Sequence, residues 1–152
     1  MDRASPPGGY SGTPLAVKLG VRPGHEVAVL GGPDGFAESL AAQAGVEVRP
    51  DTGGGAPFDV IVFFSPWRAD LESELGHLRE HMAPACGLWI AWPKRAAKVP
   101  TDMSDTVVRE VALPTGLVDN KVCAIDATWS ALRLVIRRIN RGPEPPDPQR
   151  AR

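Results

Sequence analysis

The stretch FDVIVFF, from Phe58 to Phe64, is an almost continuous run of β-branched and aromatic residues. A strand with one face in water alternates apolar and polar residues, whereas a strand covered on both faces does not. Strands covered on both faces are typical of parallel sheets, because the connecting helices lie above and below the sheet. The stretch therefore predicts a central strand of an α/β sheet.

Segments with helical and strand patterns alternate on either side of this run. A helix is predicted over about 68–82, because Leu71, Leu75, Leu78 and Met82 recur at helical spacing. The other predicted elements are, in chain order, a helix over 14–19, a strand over 26–31, a helix over 34–44, and strands over 46–48 and 87–92 before a helix over 102–113. This alternation predicts a sheet with helices on both faces.

The end of the predicted domain is harder to assign. Lys121 to Ile125 has the pattern of a strand, while Trp129 to Arg138 fits both an alternating strand and a helix. We favour the strand, because Asp126-Ala127-Thr128 is suited to a hairpin turn between the two segments. The expected fold is a small Rossmann-like, three-layer α/β domain. Its sheet is mostly parallel, with a C-terminal hairpin that adds one antiparallel strand at the edge.

Length and composition indicate one domain. The chain has 152 residues and a formal net charge of −1, so no overall charge favours nucleic acid or an anionic membrane. Residues 10–140 are predicted to form the domain, and the Pro-rich and Gly-rich ends, 1–9 and 141–152, are predicted to be disordered. No secretory signal or membrane span is recognised, and the two cysteines form no disulfide framework. We therefore expect a cytoplasmic protein with no nucleic-acid or membrane partner.

A glycine-rich loop follows the first predicted strand. In VLGGPDGF, residues 29–36, Gly31, Gly32 and Gly35 would let the backbone approach a ligand at the N-terminus of the next helix, with Asp34 as its N-cap. The same glycines would also serve a tight turn from strand to helix. The loop is therefore a candidate ligand cradle, a turn, or both.

A second candidate patch, Trp92-Pro93-Lys94-Arg95, follows the fourth predicted strand. Lys94 and Arg95 could hold a phosphate or carboxylate, with Lys98 adding positive charge, and Trp92 could stack on a base. The alternative is a solvated loop with a tryptophan closing the core. In a parallel sheet this patch and the glycine loop would share one edge.

Further polar residues are expected near that edge. Asp119-Asn120-Lys121 enters the fifth predicted strand, where Asn120 and Lys121 could contribute to a ligand site or simply form a turn. Asp51 follows the second strand, where a ribose-binding carboxylate would lie, although a solvated loop aspartate is the simpler explanation. The segment with Tyr10, Ser11 and Thr13 could cover the same edge, and Thr13 is the expected N-cap of the first helix.

Three other motifs are given structural interpretations. The HxxEH pattern from His77 to His81 resembles a zinc-protease motif, but each histidine precedes a buried-stripe residue by one position and so lies on the flank of the helix. We therefore expect no metal site. Cys86 and Cys123 are expected to be structural thiols, and Ser65-Pro66-Trp67 at most a pocket wall.

Three segments together, residues 9–31, 87–95 and 116–135, resemble domain-of-unknown-function family 3052, which is bacterial and uncharacterised. The element order is also similar to a contracted class I methyltransferase: Pro23-Gly24, the glycine loop, FDVIVFF and a closing hairpin. One strand–helix unit is missing between Asp51 and Phe58. The acidic residue that such enzymes usually carry in the first strand is replaced here by Ala28 or Val29.

Three functions are consistent with these features. The first, which we favour from the sequence, is a noncatalytic binding or regulatory domain that takes a small anionic or nucleotide-like ligand through residues of the two patches and the fifth strand: Gly31, Gly32, Gly35, Trp92, Lys94, Arg95, Asn120 and Lys121. The second, implied by the resemblance, is a minimal methyltransferase that uses S-adenosylmethionine. The third is a protein-interaction scaffold. The edge of the hairpin is a possible homo-oligomer contact.

Overall fold

The computed structural model of the chain describes residues 13–53 and 57–137. The predicted disorder of the two ends and the predicted positions of Tyr10 and Ser11 lie outside these residues. No helix in the described part of the chain is long and apolar enough to cross a bilayer.

The described residues form one six-stranded sheet with the order β2-β1-β3-β4-β6-β5. Strands β1 to β4 are parallel to one another, and β6 is antiparallel to both β4 and β5. The strands are β1 (Val27–Leu30), β2 (Val48–Arg49), β3 (Phe58–Phe64), β4 (Met82–Pro93), β5 (Leu117–Ala124) and β6 (Trp129–Ile136). The predicted mostly parallel α/β sheet is confirmed.

Four α-helices cover the two faces of this sheet. They are α1 (Leu15–Leu19), α2 (Phe36–Ala44), α3 (Arg68–Glu80) and α4 (Asp105–Ala112). Helices α1 and α2 pack against one face, in a core with Val62 and Trp89, while α3 and α4 pack against the other, in a core with Ile61 and Leu88. Adjacent residues of β3 thus lie in opposite cores, which explains why the strand is apolar from Val60 to Phe64.

The C-terminal segment is a strand, as favoured from its pattern, but the hairpin is inserted differently from the prediction. The antiparallel strand β6 pairs with β4 inside the sheet, and β5 becomes the edge, parallel to β4. The turn is stabilised by Asp126, whose Oδ1 accepts hydrogen bonds from the backbone N–H groups of Thr128 and Trp129, each at 2.8 Å.

Both predicted N-caps are wrong by one residue. Helix α1 is capped at Pro14 rather than Thr13, and α2 at Gly35 rather than Asp34. At Gly35 the backbone has φ 84°, a left-handed conformation in which glycine is favoured over aspartate. The turn into α2 is therefore set by backbone freedom and not by a capping side chain.

Several boundaries also differ from the prediction. Met82 belongs to β4 and not to α3, β5 begins at Leu117 rather than Lys121, and β2 is Val48–Arg49 rather than 46–48. Helix α4 begins only after Ser104, whose Oγ accepts a hydrogen bond from Val107 N at 3.2 Å. This cap shortens the helix predicted over 102–113.

Candidate functional site

The glycine loop connects β1 to α2 at the carboxyl end of the parallel strands. Gly31, Gly32 and Gly35 have φ values of 73°, 100° and 84°, all in the left-handed region. Side chains are strained in this region, so the loop requires glycine at these places. The interpretation as a strand-to-helix turn is confirmed, and it leaves the function as a cradle open.

At Gly31 and Gly32 the loop backbone packs closely against the end of β3. A Cβ atom on Gly32 would lie 3.0 Å from ring carbons of Phe64, and one on Gly31 would lie 3.6 Å from Phe64 Cβ. The Phe64 ring packs edge-to-face on Phe36 and on Trp129, with centroid distances of 4.9 and 5.0 Å. Loop, α2 and hairpin therefore meet at one aromatic cluster.

A cavity of about 590 Å³ lies between the glycine loop and β2. This volume is in the range of small-molecule sites. The cavity opens at the carboxyl ends of β1 and β2, where ligands bind in open α/β sheets. Its walls are formed by Val29, Gly31, Pro33, Asp34, Gly35, Ala37, Glu38, Val48, Arg49 and Pro50. We refer to it as the loop cavity.

Two carboxylates, Asp34 and Glu38, line the loop cavity, and both residues are exposed. The predicted ribose anchor, Asp51, lies beyond its rim, and Asp51 Oδ1 accepts a hydrogen bond from Gly53 N at 2.9 Å. That bond closes a local turn, in agreement with the structural explanation of this residue. Glu38 was not recognised from the sequence, because only the path of α2 past the end of β2 brings it to the cavity.

A second cavity, of about 400 Å³, lies on the other side of the loop, between α1 and the N-terminus of α2. It shares the wall of Pro33, Asp34 and Gly35 with the loop cavity, and its opposite wall includes Lys18 and Asp126. The glycine loop is thus the partition between two spaces at the same edge of the sheet.

The second predicted patch does not come together as a binding surface. Trp92 is only 8% exposed and packs in the core on the α3 and α4 side, which agrees with the core interpretation. Arg95 is exposed in a short 3-10 helix, Arg95–Ala97. Lys94 is linked to the hairpin through its backbone N, which donates to Thr128 O at 2.7 Å.

Asn120 and Lys121 lie inside β5 and not in a turn before it, contrary to the prediction. They occupy an irregularity of the strand pairing between Asp119 and Lys121. The structure therefore separates the eight predicted site residues. Gly31 and Gly35 line the loop cavity, Gly32 packs on Phe64, and Lys121 faces a different cleft.

The histidine motif lies on the surface of α3, as predicted. His77 is exposed and His81 half-buried, with ring centroids 4.7 Å apart, while Leu71, Leu75 and Leu78 are buried. Among the described residues, no group of three His, Cys, Asp or Glu side chains is placed to hold a metal ion.

The two thiols are free and differ in their surroundings. Cys86 is fully buried, and burial raises its pKa to about 12, with a smaller contribution from Asp59. Cys123 is half-buried. Burial raises its pKa as well, against the opposing effect of three lysines, Lys18, Lys121 and Lys94.

The segment after β3, Ser65 to Trp67, forms a local turn with an internal hydrogen bond. Ser65 is buried, and its Oγ donates to Trp67 O at 2.9 Å, so the hydroxyl is held by the backbone. Trp67 is 45% exposed and precedes α3. Ser65 therefore serves the local turn.

Three solved structures with a similar fold are methyltransferases. A putative type 11 methyltransferase from Sulfolobus solfataricus has a TM-score of 0.56 at 12% identity over 74% of this chain and 83% of that chain. Magnesium protoporphyrin IX methyltransferase from Synechocystis PCC 6803, with bound S-adenosylmethionine, has a TM-score of 0.53 at 11% identity, over 79% of this chain and 74% of that chain. The CcbJ methyltransferase from Streptomyces caelestis has a TM-score of 0.53 at 9% identity, over 88% of this chain and 91% of that chain.

These similarities establish the Rossmann-like methyltransferase fold and, at such low identity, only the fold. No protein-family profile and no curated protein sequence matches the chain. Membership of domain-of-unknown-function family 3052 therefore stays a prediction.

Proposed function

We propose that this protein binds S-adenosylmethionine in the loop cavity and acts as a small methyltransferase. The observation that carries the proposal is the glycine loop, with left-handed backbone at Gly31 and Gly35, opening onto a cavity of about 590 Å³ at the carboxyl ends of β1 and β2. This is where a nucleoside-type ligand binds in open α/β sheets. The similar fold of known methyltransferases supports the same choice.

The residues present fit such a cofactor at several points. Val48 and Pro50 offer an apolar wall for a base, and the exposed carboxylate of Glu38 can accept hydrogen bonds from ribose hydroxyls. Gly31 and Gly35 line the cavity, and neither has a side chain that would keep a ligand away from the backbone. Bound S-adenosylmethionine would supply a methyl group that is already activated for transfer.

The chain itself would contribute positioning more than acid–base chemistry. Ser65, next to the glycine loop at the end of β3, donates its hydroxyl proton to Trp67 O and is held by the backbone. Holding an activated methyl donor next to a nucleophilic acceptor can accelerate transfer without a general base. We therefore expect an acceptor that is nucleophilic at neutral pH.

One observation favours the alternative of a noncatalytic binding domain. The Phe64 ring lies directly against Gly32 and is fixed by Phe36 and Trp129, which narrows the space beside the loop toward β3 and the hairpin. With these aromatic rings beside the loop, the domain would hold a nucleotide-like ligand in the loop cavity and leave no room next to it for a second substrate.

Calorimetric titration with S-adenosylmethionine and S-adenosylhomocysteine tests the proposal. Glu38→Trp places a large ring in the loop cavity from an exposed position, and Glu80→Trp makes the same change at the exposed end of α3, on the opposite face. We expect the unchanged chain and Glu80→Trp to bind both ligands and Glu38→Trp to bind neither. Binding that survives in Glu38→Trp, or is absent from all three proteins, contradicts the proposed site.

Catalysis is tested separately, by measuring S-adenosylhomocysteine formed when the protein is incubated with S-adenosylmethionine and a small-molecule extract. Production that depends on the protein and is lost in Glu38→Trp supports the methyltransferase. Tight binding without any production supports the noncatalytic alternative.

A further inference from the structure

A cleft separates α1 from the edge of the sheet at β5. It consists of two adjoining cavities of about 360 and 200 Å³, which share the walls formed by Val17, Lys18 and Lys121. The remaining walls include Cys123, Ala124 and Arg133. We refer to it as the α1–β5 cleft. It does not include any residue of the glycine loop.

The charged side chains of the α1–β5 cleft are all basic. Lys18, Lys121 and Arg133 line it, and among the described residues no Asp or Glu does. Lys94 lies close enough to act on Cys123 together with Lys18 and Lys121. Three positive charges from α1, β5 and β6 thus line one concave surface of a protein whose overall charge is −1.

The irregularity in β5 explains how this charge is concentrated. Regular alternation would place Asp119 and Lys121 on the same face of the strand. The shift between them instead pairs Asp119 with Leu134, on the α3 and α4 face, and Lys121 with Arg133, on the α1 face. Asp119 is then bound by Arg109 at 3.1 Å on the far side of the sheet.

Two further contacts hold the basic residues in place. Lys18 Nζ donates to Ala124 O at 3.1 Å, which ties α1 to the edge strand. Arg133 lies across Gly87 of β4, where any Cβ atom would collide with the guanidinium group. Among the described residues, neither Lys121 nor Arg133 has a carboxylate within salt-bridge distance.

We propose that the α1–β5 cleft binds the phosphate group of a small phosphorylated molecule. Ammonium and guanidinium groups that approach from three elements suit the separate oxygens of a tetrahedral dianion better than one planar carboxylate. The volume suits a small molecule, and the near-neutral overall charge does not favour a polynucleotide. The proposal does not depend on S-adenosylmethionine binding, because the loop cavity has none of these residues.

Cys123 provides a direct measurement, because it lines the cleft while Cys86 is fully buried. The alkylation rate of Cys123 by iodoacetamide is followed by mass spectrometry while inorganic pyrophosphate is added. Sodium chloride of equal ionic strength is the reference. We expect pyrophosphate to slow alkylation in a saturable way, by about fivefold or more, because the bound anion covers the thiol and offsets the lysine charges.

Matched variants locate the effect. Lys121→Gln removes an exposed charge of the cleft, and Arg95→Gln removes an exposed charge outside it. Protection should be lost in Lys121→Gln and kept in Arg95→Gln. The proposal is overturned if pyrophosphate gives no more protection than sodium chloride, or if both variants respond equally. It is also overturned if acetate protects as well as pyrophosphate, or if a short oligonucleotide protects at far lower phosphate concentration.

Discussion

Gly32 has the least freedom to change among the loop glycines, because its backbone has φ 100° and its open side faces a buried ring. Phe64 cannot move away easily, since Phe36 and Trp129 hold it on two sides. The residue therefore carries two constraints, one conformational and one steric. Both act on the folded state whether or not a ligand binds.

Gly32→Ala should lower the free energy of unfolding by about 1–3 kcal/mol, from left-handed strain together with the contact to Phe64. Gly76→Ala is the matched control, because Gly76 lies inside α3 with nothing within 4 Å of its added Cβ atom. The control should stabilise by about 0.5–1 kcal/mol. Urea unfolding measures both changes. Equal effects of the two substitutions would show that the loop is not constrained as described.

The buried thiol of Cys86 predicts a dependence of stability on alkaline pH. Its folded-state pKa is about 12, against an ordinary value of 9.0, because burial disfavours the thiolate. Above pH 9 the unfolded chain loses this proton and the folded chain keeps it, so the stabilisation present below pH 9 is lost as the pH rises toward 12.

Between pH 8 and 10, the unchanged protein should therefore lose about 1 kcal/mol more stability than Cys86→Ala, although the variant is less stable at neutral pH. Urea unfolding at a series of pH values gives the two slopes. Parallel slopes would mean that the Cys86 thiol titrates in the folded protein much as it does in the unfolded chain.

Single residues show what could be predicted from the sequence and what could not. The need for glycine at Gly31 and Gly32 follows from a local turn, so neighbouring residues suffice to predict it. The partner of Gly32 is Phe64, which is 32 positions away, and the contact depends on the parallel pairing of β1 with β3. The positions of Glu38 beside β2 and of Arg133 beside β4 also depend on distant strands, so neighbouring residues do not predict them.

At the scale of elements, α1 is too short to be stable by its own hydrogen bonds. It is held to the sheet by Trp89 of β4, whose Nε1 donates to Leu19 O at 3.0 Å in a buried contact. Ala16 N also donates to Gln43 Oε1 of α2 at 2.8 Å. Because α1 forms one wall of the α1–β5 cleft, these contacts also position Lys18.

Trp89→Phe should leave the Leu19 carbonyl without its buried donor and lower stability by about 1–3 kcal/mol. Amide hydrogens of α1 should exchange faster, while those of α3 on the other face change little. Trp67→Phe is the control, because Trp67 is 45% exposed and should change stability by less than about 0.5 kcal/mol. Unchanged exchange in α1 would show that Trp89 does not anchor the helix.

The strand that differs most from its prediction is β4, which begins at Met82 and not at Gly87. The added part of the strand contains Pro84, which has no backbone N–H to donate to a neighbouring strand. The structure accommodates it where the pairing of β3 with β4 is irregular, between Phe58 and Val60. A strand such as FDVIVFF is predicted well because both of its faces are buried. The start of a strand such as β4 is not, because it depends on irregular pairing with a partner strand.

At the scale of the whole molecule, the strand order explains why one contracted domain keeps two cores. Between β2 and β3 the described chain has no further strand or helix, so β2 is the edge opposite β5. Strands β1, β3 and β4 still contribute alternate residues to both faces. Both cores are thus built on the same central strands, and they differ in the helices that cover them.

This sharing predicts one cooperative unfolding transition. Leu40 of α2 and Leu75 of α3 are buried on opposite faces, and truncation of either to Ala should cost about 2–5 kcal/mol. Since the central strands belong to both cores, loss of one helical layer exposes one face of the strands on which the other layer packs. We therefore expect far-ultraviolet circular dichroism and tryptophan fluorescence to give coincident curves for Leu40→Ala and for Leu75→Ala. A variant whose two probes separate would show that one helical layer can unfold while the sheet and the opposite layer remain.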